Sequence, residues 1–261
     1  IKISIPVKEY EKYNKFWQDD ADESGNNKRI FQQIRIVPKQ GGDYFVIEIC
    51  YYRPKEDAVL DPDKAVAVDI GRPVKSINQY FNKKKAEMSS VLNKNGLFTS
   101  KKLRKLFRKR NAKVSDYMHK ASKHLIDYCL LNEVSKIVIG YNPEWKVGVQ
   151  IGKVNNQKFV MIPFHSLISK VEYKAELYGI EVSKMEESYT SKCSALDLEP
   201  IEKHEKYLGK RVHRGLFESS SGIQINADVN GSINILRKSV GDSFVDGSIN
   251  LLENPIKITM N

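Results

Sequence analysis

Four acidic positions in this 261-residue chain stand where the local pattern could give them chemical work. Asp69 sits near the end of a short apolar run, residues 64–70 (KAVAVDI). A run of that kind predicts a buried central strand, and ligands gather at the carboxyl ends of such strands in open α/β sheets. Glu186 and Glu187 follow another predicted strand, residues 180–185. Asp228 opens a predicted helix, residues 228–238 (DVNGSINILRK), where the positive end of the dipole favours a carboxylate. Each has an ordinary alternative: a strand-ending turn, an exposed acidic pair, an N-cap. Together, carboxylates at matching ends of one sheet are what two divalent ions about 3.5–4 Å apart require. Hard Mg²⁺ takes oxygen ligands of this kind and keeps waters for reaction.

Cationic residues surround that set in sequence. Between positions 101 and 113, eight of thirteen residues are basic: Lys101, Lys102, Arg104, Lys105, Arg108, Lys109, Arg110 and Lys113. Lys83, Lys84 and Lys85 precede them. Leu103 and Phe107 interrupt the charge at helical spacing, so one face can pack while the rest follows a phosphate backbone. An ordinary solvated helix face is the alternative, but no acidic residue neutralises the run. His119, His124 and His165 fall in or beside predicted helices and carry no ligand spacing. Cys193, His204 and His213 match no zinc pattern. There is no G-x-G-x-x-G and no phosphate loop, which counts against a nucleotide-fuelled enzyme such as an actin- or sugar-kinase-type ATPase.

The elements that must position these groups follow from periodicity. Residues 29–38 and 44–53 predict two strands joined at Gly41-Gly42-Asp43 into a hairpin. Residues 57–63, with Pro54 and Pro62 nearby, read as a linker and a domain boundary. Beyond it, strands are predicted at 64–70, 135–140 and 180–185, and helices at 72–92, 100–132, 164–178 and 228–238. The long helix keeps apolar residues three or four apart from Leu103 to Cys129, with Thr99 or Ser100 as its N-cap, and Gly179 stops the following one. This alternation predicts the α/β class.

Composition narrows the partner. With 43 Lys and Arg against 32 Asp and Glu, the formal charge is +11. Such an excess suits a polyanion, because neutralising phosphates releases counterions. No apolar run approaches the roughly 18 residues of a membrane span, and residues 1–10 do not read as a signal peptide, so no membrane partner is expected. Three scattered cysteines, Cys50, Cys129 and Cys193, form neither a disulfide framework nor a zinc site and point to a reducing compartment.

At these residues the chain resembles the TnpB (OrfB) family, transposon-encoded RNA-guided DNA nucleases related to type V CRISPR effectors and Fanzor proteins. The resemblance spans about residues 31–238. It is carried by IRIVP at 34–38, AVDIG at 67–71, RPVKSINQYFNKKKAE at 72–87, YTSKCS at 189–194 and NADVNGSINILRK at 226–238. It implies part of a β-barrel wedge domain (1–60) before an RNase H-like RuvC nuclease domain in two parts (61–193 and 226–261). A target-nucleic-acid-binding insert (194–225) lies between those parts. It also implies two Mg²⁺ or Mn²⁺ ions on an Asp–Glu–Asp triad, a guide RNA and a double-stranded DNA target. The setting would be the nucleoid-associated cytoplasm of a bacterium or the nucleus of a eukaryote; oligomeric state stays open.

Carried over by position, Asp69 matches the first aspartate of the triad and Asp228 the last. Most members place the glutamate at the end of the strand corresponding to 136–140, where this chain has Gly140. Some relatives carry it three residues before the Thr-Ser that follows the next strand. Here that position is Glu187, with Glu186 as its substitute. The family's four-cysteine zinc ribbon retains at most Cys193, its second pair falling on Glu218 and Ser221. The expectation is therefore a zinc-free insert in which Lys203, Lys206, Lys210, Arg211 and Arg214 touch a nucleic-acid backbone. An RNase H-like sheet also needs an antiparallel hairpin after its first strand, yet Gly71 runs into a helix. A segment is expected to be missing there and another before Ile1, making the chain part of a longer protein. Two other functions fit the same residues: a nuclease-dead RNA-guided DNA-binding protein and a DNA transposase.

Overall fold

The computed structural model of the protein describes residues 30–39, 44–70, 74–142 and 163–242. The chain forms two compact units, Ile1–Asp57 and Ala58–Asn261. In the first, β1 (Ile30–Lys39) pairs antiparallel with β2 (Tyr44–Tyr52), Val37 opposite Val46, with a bulge between Phe31 and Gln33. The expected turn, Gly41-Gly42-Asp43, lies outside the described residues.

The second unit is built on three parallel strands: β3 (Asp61–Val68), β4 (Val134–Tyr141) and β5 (Glu181–Glu186), in that spatial order. Each of the three expected apolar runs forms a strand, as a buried parallel sheet requires. The linker reading of 57–63 needs correction at its end. Asp61–Asp63 already belong to β3: Asp61 pairs with Val134, its amide donates to the Glu133 carbonyl at 2.7 Å, and Lys64 bridges to Glu133 at 3.1 Å. Polar residues extend this strand where it reaches the sheet margin. No antiparallel strand joins this sheet among the described residues.

Helices cover both faces. Helix α1 (Lys75–Lys94) packs on the long α2 (Lys101–Leu131), which packs on α3 (Phe164–Leu177). Ser100 is the N-cap of α2, accepting a hydrogen bond from the Leu103 amide at 3.1 Å, a contact worth about 1 kcal/mol. Gly179, at φ 73°, ends α3 in the left-handed conformation glycine favours. Val74, just before α1, is a buried β-branched residue at φ 58°, a conformation costing about 1–3 kcal/mol. The main core joins Ile126 and Cys129 of α2, Ile137 and Ile139 of β4, and Phe164, Ile168 and Val171 of α3. Strand residues alternate between faces, so Val138 and Gly140 look the other way. There α4 (Ala227–Val240) packs across β3, β4 and β5.

Residues 194–225, expected as a basic nucleic-acid-binding insert, hold a small antiparallel sheet completed by Asn226: β6 (Lys210–His213), β7 (Leu216–Glu218) and β8 (Gln224–Asn226), around the buried Phe217. Strands of three or four residues are too short for alternation to declare itself. No described helix is long and apolar enough to cross a membrane.

Candidate active site

Parallel register brings Asp69 and the glutamates that follow β5 to one end of the sheet. Val68 pairs with Ile139 and Gly140 with Met185. One step beyond Val68, Asp69 is therefore level with Gly140 and Met185 and shares their face, the face that α4 covers. Glycine at 231 of α4 makes room: a Cβ there would stand 3.8 Å from Asp69 Oδ2. Glu187 lies two residues past Met185 and returns to the same place. Its Oε2 sits 3.2 Å from where a Cβ on Gly140 would be, and Ile235 Cδ1 is only 2.6 Å from that point. The space a side chain at 140 would enter is thus filled by Ile235 and the carboxylate of Glu187.

The two adjacent glutamates have different work. Glu186 accepts hydrogen bonds from the Ser188 amide (2.8 Å) and the Ser188 hydroxyl, and from Lys238 Nζ (3.3 Å). Lys238 also donates to the carbonyls of Glu186 (3.0 Å) and Ser188 (2.9 Å), tying the exit of β5 to α4. These hydrogen bonds and the Lys238 charge hold the Glu186 carboxyl below its ordinary range, against the opposing pull of desolvation. Glu186 serves the turn, and Glu187 faces Asp69.

Asp69 still meets solvent, yet the protein crowded about it pushes its carboxyl up to about 6. The charges of Glu187 and Asp228 add to that rise, and Arg211 opposes it. Asp228 is not the N-cap of α4. Asn226 has that role, accepting from the amides of Asp228 (2.8 Å) and Val229 (3.4 Å). Asp228 occupies the first turn, largely exposed, with Oδ1 3.6 Å from Arg211 Nη2. As placed, no three Asp, Glu, His or Cys side chains among the described residues stand close enough to hold an ion together. The donor set nevertheless fits a hard divalent cation, because Asp69, Glu187 and Asp228 offer only carboxylate oxygens and their mutual repulsion is what a cation relieves.

A buried polar stripe that sequence reasoning missed anchors this edge. Asn230, Asn234 and Arg237 recur along one face of α4, all within 5 % exposure. Asn230 receives the Ala195 amide (2.9 Å) and donates to the Cys193 carbonyl (2.9 Å). Asn234 donates to the carbonyls of Thr190 (2.9 Å) and Cys193 (2.8 Å), and accepts from Arg237 (2.8 Å). Arg237 also donates to the Glu199 carbonyl at 3.0 Å. The buried Glu199 carboxylate collects the amides of Ser194 (2.6 Å) and Leu208 (2.8 Å). The i, i+4, i+7 spacing of polar residues beside apolar ones was the available signal. Where the zinc ribbon would lie, Asp197 takes the amide (2.9 Å) and hydroxyl (2.5 Å) of Ser220, joining the two loops directly.

The predicted basic residues divide between surface and packing. Lys101, Lys102, Lys105, Lys109 and Lys113 are exposed on α2, as are Lys83 and Lys85 on α1 and Lys203, Lys206 and Arg214 beyond them. Arg104 and Arg108 are exposed as well. Lys84 pairs with Glu87 at 2.7 Å and Lys210 with Glu218 at 3.1 Å. Arg110 turns inward, its guanidinium donating twice to the buried Asn78 (2.8 and 3.0 Å) and lying over the Phe81 ring.

Parts of the sequence and the fold are similar to known proteins. Residues 51–146 match the OrfB_IS605 family, described as a probable transposase, and residues 164–235 match the Cas12f1-like TNB domain. The TnpB-like protein ORF457 of Acidianus two-tailed virus is 29% identical over 171 residues, 62% of this chain and 35% of that protein. The solved Cas12f1–sgRNA–target DNA complex is 19% identical with a TM-score of 0.56, over 88% of this chain and 51% of that one. A CRISPR–Cas12f ternary complex is 17% identical with a TM-score of 0.49, over 77% and 44%. The chain thus spans about a third of the viral relative's length and about half of the Cas12f1 chain. The mixed α/β fold of Cas12f1 is shared, and the chain is similar to OrfB_IS605 proteins over residues 51–146 and to the Cas12f1-like TNB domain over residues 164–235.

Proposed function

We propose that the protein is an RNA-guided, divalent-metal-dependent DNA endonuclease of transposon origin, with a RuvC-like site formed by Asp69, Glu187 and Asp228. The observation that carries this reading is the electrostatic coupling of Asp69 to Glu187 and Asp228 at one sheet edge, with the Glu187 carboxylate in the space above Gly140. When bound there, Mg²⁺ or Mn²⁺ would activate water and stabilise the leaving 3′-oxygen of a phosphodiester. The chain's own part is to hold three carboxylates on strand ends and a helix start, with Lys238 and the Asn230–Asn234–Arg237 stripe fixing the backbone between them. The basic residues at 83–85, 101–113 and 203–214 would follow nucleic-acid backbones, consistent with relatives solved with sgRNA and target DNA. Sequence would be read by base pairing to the guide. Of the ribbon's cysteine positions the chain keeps at most Cys193, with Glu218 and Ser221 at the second pair, which suits a zinc-free insert.

One observation favours a second reading, an RNA-guided DNA-binding protein that does not cut: Asp228 is engaged by Arg211 rather than aimed with Asp69 and Glu187 at a common point. A cleavage assay on RNA-loaded protein with matched DNA separates the two. The nuclease cuts in Mg²⁺, stops in EDTA, and loses activity in Asp69→Ala and Asp228→Ala while keeping RNA. Cutting that does not require a transposon end excludes the transposase reading as well.

A further inference from the structure

A cleft of about 850 Å³ opens between α1 and the N-terminal half of α2. Its floor is apolar, made by Ile77, Phe81, Met88 and Leu106. Phe81 packs edge-on against Phe107, with ring centroids 4.9 Å apart. Tyr80 stands at the margin with 60% of its surface exposed, so its ring is open to a ligand. Along the other wall run Lys102, Lys105, Lys109 and Lys113, spaced three or four residues apart and therefore on one face over about 16 Å of helix. No acidic side chain lines the cleft, and these four ammonium groups have no acidic partner among the described residues.

Charge alone would suit any phosphate backbone; the apolar floor selects among them. A duplex offers phosphates outside and keeps its bases stacked within, so it would touch the lysine row and leave the floor empty. A single strand offers both at once: phosphates to the row, and an unpaired base to an aromatic ring and an apolar floor. The volume lies within the range of sites that take compact ligands. Position argues for RNA over DNA. The cleft is walled by α2, whose C-terminal half covers the sheet face away from α4, whereas the carboxylates lie on the α4 face. A strand seated in the cleft is bound in a different layer from the groups proposed to cut. The hydroxyl of Ser76, at the cleft wall, can both donate to and accept from a ribose 2′-hydroxyl.

We infer that this cleft seats an unpaired nucleotide of single-stranded RNA, its base against Tyr80 and the apolar floor and its flanking phosphates on the Lys102–Lys113 row. The inference rests on the reading of the basic face as a nucleic-acid surface and assigns that face a strand state and a chemistry.

The test is fluorescence anisotropy of the full chain with a labelled single-stranded RNA, the same sequence as DNA, and an RNA duplex. Tyr80→Ala removes the stacking ring. Ala112→Phe, at an exposed position on the cleft wall, fills the space without changing charge. Both are expected to weaken single-stranded RNA binding about tenfold, the scale of one lost base–aromatic stack. Duplex binding should stay within about twofold, since it depends on the lysines alone. The inference is overturned if either variant binds single-stranded RNA as wild type does, or if duplex binding falls in parallel. It is also overturned if DNA binding falls as much as RNA binding. Wild-type protein that binds no single-stranded RNA overturns the cleft and the RNA-guided reading together. Wild-type binding with unaffected variants overturns the cleft only.

Discussion

Gly140 offers the sharpest check on how the candidate site is packed. Its φ is not in the left-handed region, so alanine there meets no backbone penalty, and in open space Gly→Ala in a strand would stabilise by about 0.4–1 kcal/mol. The space is not open: the new Cβ would stand 2.6 Å from Ile235 Cδ1 and 3.2 Å from Glu187 Oε2. Ile235 is 1% exposed and has little room to yield. The expected cost of such overpacking is about 1–3 kcal/mol. For a unit of this size that lowers the melting temperature by roughly 2–12 °C. Ile235→Val removes the offending Cδ1 at its own cost of about 0.5–1.5 kcal/mol. In Gly140→Ala/Ile235→Val, the valine should relieve the alanine, so the double variant is more stable than the sum of its singles by about 1 kcal/mol. Thermal melts of the four proteins complete the cycle. Additive effects, or a stabilising Gly140→Ala, would refute the packing described around Gly140 and Glu187.

Three further outcomes follow from the same contacts. Asn234→Ala removes the side-chain donor to the Thr190 carbonyl, one of two donors to that of Cys193 and an acceptor of Arg237, at an expected loss of about 1–3 kcal/mol in urea unfolding, whereas an exposed lysine such as Lys105→Ala should change stability little. For Asp69, the folded carboxyl at about 6 lies above its ordinary 3.8, so the folded state holds the proton more tightly. Its contribution is fully present below pH 3.8 and is lost as pH rises through 6. The full shift would correspond to about 3 kcal/mol, which solvent screening at this exposed group reduces to about 1. Metal-free wild type should lose that much between pH 4 and 7 relative to Asp69→Asn, and Mg²⁺ should recover it at pH 7. In the insert, Asp197→Ala removes both bonds to Ser220 and should lower the melting temperature, while a zinc-selective chelator, with Mg²⁺ kept constant, should leave wild-type melting unchanged.

Much of the second unit was legible because its elements are long and strongly patterned. The apolar runs ending near Asp69, Gly140 and Glu186 predicted the three strands, and the spacing from Leu103 to Cys129 predicted α2, with Thr99 or Ser100 as its cap where the structure has Ser100. The choice of Glu187 over Glu186 was within reach of sequence only through resemblance. In the structure the difference is physical: Ser188 and Lys238 occupy Glu186, and Gly140 vacates the space Glu187 fills. The contacts of Lys238 with Glu186 and of Gly140 with Glu187 join residues roughly fifty apart and leave no periodic trace. The small sheet of residues 210–226 was hidden for another reason, since strands of three or four residues are too short for alternation to stand out. Arg110 looked like one more cation in a basic run, and only packing against α1 shows its guanidinium spent on Asn78. Helix α4 was visible as an element, but its polar stripe reads as solvent-facing until the loop it anchors is seen.

The most direct measurement is single-turnover cleavage of a matched DNA target by RNA-loaded wild type, Glu186→Gln and Glu187→Gln in Mg²⁺, with RNA retention measured in the same preparations. The account predicts that wild type cuts, that Glu186→Gln stays within a few-fold of it, and that Glu187→Gln falls by at least about a hundredfold, the scale of losing a charge-stabilising group at a reacting centre. Loaded wild type that does not cut, or Glu187→Gln that cuts as fast as wild type, would contradict it.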